Sequence, residues 1–176
     1  MTFLAFLAAA AAQAPTTPPS AILSFKEAGR IMVAAEKKQA DTRRRIRDLS
    51  DEQLTSELRA ALSGKTKMVY QLGHGVYVEY TDPSGELRMW YPRNQNVVKG
   101  SWGTREVRGK VRACFHYKEA VNPVTHVYEP TECVAPEQTL SAAEVLQSWD
   151  GDVFRLMENR VPYAKDLMDM PSPQGG

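Results

Sequence analysis

A chain of 176 residues, 43% hydrophobic and 24% charged, suits one globular domain with extensions at its ends. Its formal net charge of +1 excludes a globally basic protein that coats nucleic acid. The first residues, Met1-Thr2-Phe3-Leu4-Ala5-Phe6-Leu7 and five alanines to Ala12, form an apolar run closed by small side chains. This run is shorter than the ~20 apolar residues that cross a bilayer and has the form of a secretory signal. The expected signal peptide is 1–12. Ala12-Gln13-Ala14 offers a later cut at 14, but that would leave Pro15 at the new N-terminus. A periplasmic or secreted protein is therefore expected, and no cysteine near the cut offers a lipid anchor.

Residues 13–20, rich in Pro and Thr, read as a linker. A basic helix is expected over 21–48. Ile22, Phe25, Met32 and Ala35 form its incomplete apolar stripe, and Lys37, Lys38, Arg43, Arg44, Arg45 and Arg47 load its end. Cations suit the negative end of a helix dipole, and Asp48, Asp51, Glu52 and Glu57 follow to neutralise them. Ser50 with Gln53 spells a capping box, and Leu49 with Leu54 a hydrophobic staple. Leu54, Leu58, Ala61 and Leu62 share one helical face, and Gly64 is placed to end the helix. The pattern predicts a helix over about 51–63 whose leucines cover a sheet.

The period then becomes two. Strands are expected at 68–72, 76–80 and 87–91, the last two joined by Asp82-Pro83-Ser84-Gly85. A further strand is expected over 97–102, with Gly100 and Gly103 marking a bulge or a close approach. Along 107–117, Val107, Val111, Ala113, Phe115 and Tyr117 alternate with Arg108, Lys110, Arg112, Cys114 and His116. One face of that strand is therefore apolar and the other cationic. Asn122-Pro123 turns the chain into a return strand at 124–128. The pattern predicts an α+β fold: a curved antiparallel sheet of five to six strands, open or barrel-like, flanked by N-terminal and C-terminal helices. The helix-plus-sheet core is expected over 49–134. Ser141 with Glu144 and Leu140 with Val145 repeat the box and staple, giving a C-terminal helical segment over 135–170 and a tail at 171–176.

Leu54-x-x-x-Leu58, Leu62-x-Gly64-Lys65-Thr66, Glu79-Tyr80, Pro83-x-Gly85, Gly100-x-Trp102, Cys114-Phe115-x-Tyr117 and the late Cys133 carry a family likeness. Over about 50–133 the chain resembles a family of small exported proteobacterial proteins of unknown function. The resemblance implies a short helix leading into a curved antiparallel sheet, a late cysteine pair and export. It implies no catalytic residue.

Cys114 and Cys133 are the only cysteines, and in an exported chain they are expected to form one disulfide. A zinc site with His116 or His126 is the alternative, but no CxxC or HxxxH spacing supports it. His74, His116 and His126 have no acidic neighbour at motif spacing, and no GxSxG, phosphate loop or dinucleotide fingerprint occurs. No metal, cofactor or catalytic residue is expected. The candidate ligand face combines Tyr77, Arg88, Trp90, Arg108, Lys110 and Arg112, an aromatic and cationic set suited to an anionic glycan, a lipid surface or an envelope protein. The expected function is a non-enzymatic exported binding or envelope-associated module. Two alternatives stand beside it: a small periplasmic hydrolase using His74 or His116, and a partner-docking or inhibitory protein acting through the basic N-terminal helix.

Overall fold

The computed structural model describes residues 24–71, 75–91, 94–118 and 131–162. Two helices, α1 (Phe25–Arg45) and α2 (Asp51–Leu62), lead into β1 (Lys65–Gln71), β2 (Gly75–Thr81), β3 (Glu86–Trp90), β4 (Val98–Glu106), β5 (Val111–Tyr117) and β6 (Thr131–Val134). A six-residue helix, α3 (Pro136–Ser141), then crosses to β7 (Val145–Asp150), and a short 3₁₀ turn covers Leu156–Glu158. All strand pairings are antiparallel, and the order across the sheet is β6-β5-β4-β3-β2-β1-β7. Over the described residues the chain is thus α+β, with a curved half-barrel sheet and three α-helices. No helix among the described residues is long and apolar enough to cross a membrane.

Local chemistry starts α2 as the sequence predicts. Ser50 accepts from the Gln53 backbone N–H, and the Gln53 side chain accepts from the Ser50 N–H, so both ends of the capping box are made. Ser24 and Glu27 form a second box at the start of α1. Leu54, Leu58 and Leu62 point from α2 into the sheet, Leu58 with no exposure at all. Leu49 packs against the same cluster. Gly64 turns the chain at φ +69° and donates its N–H to the Thr81 carbonyl at 2.8 Å, setting β1 beside β2.

The two faces of the sheet carry different cores. On the concave face, α2 covers Leu87, Trp102, Val111, Ala113 and Phe115. Val69, Tyr77, Met89 and Tyr91 continue that face across β1 to β3. On the convex face, Met68, Val76, Val78, Tyr80 and Trp90 are covered by Phe154 and Leu156 from the C-terminal segment. Gly100 lies where β4 and β5 come closest. A Cβ there would stand 2.3 Å from the His116 carbonyl oxygen and 3.1 Å from Leu87 Cδ2.

Four expectations change. The sheet has seven strands, not five to six. The strand expected to run unbroken through 107–117 is a turn followed by β5. Val107 and Lys110 exchange both backbone hydrogen bonds, and Arg108 and Gly109 take φ of +54° and +71° between them. Among the described residues, the C-terminal segment expected to be helical over 135–170 holds the short α3 and the 3₁₀ turn Leu156–Glu158, and the stretch around Val145 is β7 on the free edge of β1. Here a bulge misled the periodicity. The register slips between Met68 and Val69, so Leu146 and Trp149, three apart, both pack against the convex core. That spacing imitates a helix stripe. Finally, Ser141 ends α3 instead of capping a new helix: its hydroxyl bonds the Gln138 carbonyl, and Ala142 follows in the left-handed conformation. The leader 1–12, the linker 13–20, the return strand expected at 124–128, the tail 171–176, His74 and His126 lie outside the described residues.

Candidate functional site

The register of the β2–β3 hairpin decides which face each candidate residue occupies. Val78 pairs with Trp90 and Glu79 with Met89. Tyr77 and Glu79 therefore face the concave side, while Trp90 and Arg88 face the convex side with Val78 and Tyr80. Arg108 and Lys110 stand exposed in the β4–β5 turn. Arg112 lies opposite Arg105, with one terminal nitrogen 3.4 Å from the Cys133 carbonyl. The six residues do not form one surface. The reason is the single-residue step in β-pairing, which moves a side chain to the other face. Arg88 is held by Glu86 at 2.8 Å. Cys114 and Cys133 are directly opposed on β5 and β6, their Cα atoms 4.0 Å apart, and are joined by a disulfide.

The structure instead gathers polar chemistry inside the half-barrel. A cavity of about 80 Å³ lies between the β1–β2 side and the β5–β6 side, beneath α3, and opens to solvent at its rim. Its apolar wall includes Leu62, Val69, Phe115, Val134 and Val145. Among these stand Lys67, Gln71, Tyr77, Glu79, Tyr117 and Glu132, with Glu144 from the α3–β7 connection. Each residue is delivered by pleat and register. Lys67 on β1 pairs with Glu79 on β2, and Phe115 on β5 pairs with Glu132 on β6, so all four share the concave face.

Glu79 is 7% exposed. Tyr117 donates its hydroxyl to Glu79 Oε2 at 3.2 Å. Burial dominates the carboxyl's chemistry and raises its pKa to about 7, against the smaller opposing pulls of Lys67 and the Tyr117 bond; Glu132 adds a small push upward. Burial also lowers the Lys67 ammonium's pKa, partly offset by Glu79. Tyr77 and Tyr117 are raised well above their ordinary value, first by burial and then by Glu79. Glu144 is raised by partial burial, opposed by a hydrogen bond with Gln138. Tyr77 donates to Gln71 Oε1 at 3.4 Å, and its ring lies 5.2 Å from that of Tyr91 at a 44° tilt.

Among the described residues, no group of three His, Cys, Asp or Glu side chains is placed to hold a metal ion. His116 stands on the convex face, its Nδ1 3.0 Å from the Thr131 hydroxyl, and does not line the cavity. In the sequence, Glu79 figures only in the family likeness and Glu144 only in the capping pair with Ser141, while Lys67, Gln71 and Glu132 belong to no motif. One signal pointed to Lys67 and Glu79: each is a charged side chain in an otherwise core-like strand, between Thr66 and Met68 and between Val78 and Tyr80. No known family, curated protein or solved structure matches the chain.

Proposed function

We propose that the protein is an exported, non-enzymatic binding module whose ligand occupies the cavity beneath α3. The observation that carries this reading is the polar lining of a concave face that packing alone would fill with apolar side chains. Lys67, Glu79, Tyr77 and Tyr117 are drawn from three different strands into one space. Desolvating such groups is costly unless a partner repays it, and a small concave site with a few convergent polar groups is the usual form of a ligand pocket. Export is supported by the apolar leader and by the Cys114–Cys133 bridge, since disulfides persist in oxidising compartments. The cationic row read from the sequence is divided between a turn and the convex face, so it supports this function less than the cavity does.

The test is native mass spectrometry of protein recovered from the periplasm, beside the variant Ala143→Met. Ala143 is buried at the cavity wall, and a methionine there would fill the space. A bound small molecule on the wild type, lost from a folded variant, is the expected result. An empty wild-type protein that binds nothing from a periplasmic extract would reject the cavity as a site.

A second reading rests on α1. Met32 and Val33 are 41% and 71% exposed, whereas the buried apolar residues Ala35 and Ile46 lie toward and beyond its C-terminal end. A helix whose buried apolar residues begin at its midpoint, and which leaves Met32 and Val33 exposed before it, suits the docking of a partner. Replacing Met32 and Val33 by glutamine would then abolish capture of an envelope protein without altering the melting temperature. Unchanged capture would remove this reading.

A further inference from the structure

Lys67 and Glu79 are the observation that the binding reading does not by itself explain. They are direct cross-strand partners on one face of the sheet. Opposite charges in that relation stand with Cβ atoms about 5 Å apart and ordinarily close into an ion pair. Here no ion pair joins them, although Lys65, one pleat away on the same strand and face, pairs with Asp150. The Lys67 ammonium forms no hydrogen bond or ion pair with any described residue, and only one oxygen of Glu79 is engaged, by Tyr117. Both side chains line the same cavity. Two partly or fully desolvated opposite charges are thus held apart around an open space.

Resting on the reading that this cavity binds a ligand, we propose that the ligand is a small zwitterion of the amino-acid class, its carboxylate on Lys67 and its ammonium on Glu79. The surroundings select this class over its halves. A simple amine would satisfy Glu79 but leave the Lys67 ammonium unpaired and add a second cation beside it. A simple carboxylate would satisfy Lys67 but add a further acid to Glu79, Glu132 and Glu144. A zwitterion adds no net charge and meets both groups. The Glu132 and Glu144 carboxyls reinforce the ammonium end. Size sets a second limit. A cavity of about 80 Å³ is about half the ~150 Å³ void that holds benzene, so it encloses roughly three non-hydrogen atoms and suits only the smallest members of the class, whose remaining atoms stand in the open rim. Glycine, with five non-hydrogen atoms, is the best match to this limit, and alanine and larger amino acids would have to extend further between α3 and the rim.

The experiment is an NMR titration of the purified, disulfide-bonded protein with glycine, alanine, methylamine, acetate and acetamide, followed at the cavity resonances. Glycine is expected to bind at least tenfold more tightly than methylamine, acetate and acetamide, and alanine more weakly than glycine. Lys67→Met is expected to erase that preference, leaving glycine no better than methylamine. Glu79→Gln is expected to weaken glycine at least tenfold with the fold retained by circular dichroism. Equal or tighter binding of methylamine, acetate or acetamide would overturn the zwitterion while leaving the cavity as a binding site. A periplasmic occupant of another class, found by native mass spectrometry when none of the five probes binds, would do the same. No occupant and no binding by any probe would overturn both readings.

Discussion

The hydroxyl of Tyr117 meets the carboxyl of Glu79 at 3.2 Å although β3 and β4 lie between their strands. Side chains from strands three places apart touch only if the sheet curls toward them, so this bond marks the curvature of the half-barrel. It also places an acid where water is scarce. Folding keeps the Glu79 proton up to a pKa of about 7, whereas the free group loses it near 4.5. Between those values the unfolded chain releases a proton that the folded chain holds, so this group's contribution to stability falls as pH rises from 4.5 to 7 and is flat above. The shift corresponds to about 3 kcal/mol. Glu79→Gln should flatten the slope over that window and be more stable than the wild type at pH 8, as read by urea denaturation at several pH values. An unchanged slope would mean that Glu79 is already ionised at pH 5.

Leu58 joins α2 to the concave core and has no exposure. Leu58→Ala should cost about 2–5 kcal/mol, the usual range for a buried leucine. Leu54→Ala, nearer the edge at 9% exposure, should cost less. Chemical denaturation of the two variants gives the comparison.

Gly100→Ala should destabilise by about 1–3 kcal/mol, because its methyl would collide with the backbone of β5 rather than with a side chain that can turn away. Gly103→Ala, whose methyl would meet nothing within 4 Å, is the matched control and should change stability by less than about 1 kcal/mol. Thermal melting distinguishes them.

Arg108 occupies the first of two positive-φ positions in the β4–β5 turn, with Gly109 in the second. Asn tolerates that conformation better than Arg, and Asn-Gly is the favoured pair for a two-residue hairpin. Arg108→Asn should raise stability by up to about 1 kcal/mol, measured by the denaturation midpoint.

The disulfide ties β6, the four-residue edge strand, to β5. Replacing both cysteines with serine should cost about 3 kcal/mol for a closed loop of this length. Hydrogen exchange should quicken first in β6, while β1 to β3 stay protected.

Much of the architecture was legible in the chain. Ser50, Gln53 and the leucines of α2 are local signals, and local signals survive folding. The alternation of Val111, Ala113, Phe115 and Tyr117 correctly separated the two faces of β5. What the sequence hid was set by distant pairing. Whether Trp90 lies beside Tyr77 or behind it depends on the hairpin register, which neither segment encodes alone. Val145–Asp150 is a strand because β1 offers an edge, and its bulge disguises the two-residue period. The cavity was the least legible feature, since Lys67, Glu79, Tyr117 and Glu132 meet only after the sheet has curled.

The position of β7 bears on when this molecule can acquire its form. Lys65 and Asp150 are paired neighbours, yet 85 residues separate them. Until the chain has been made past β7, β1 presents an unpaired edge and the concave face lacks its cover from α3. An exposed edge of that kind recruits other strands as readily as its own. Contacts this far apart in sequence are also slow to form. The last third of the chain therefore supplies both the strand that closes the β1 edge and the helix that roofs the cavity, so neither can be in place before that third is made.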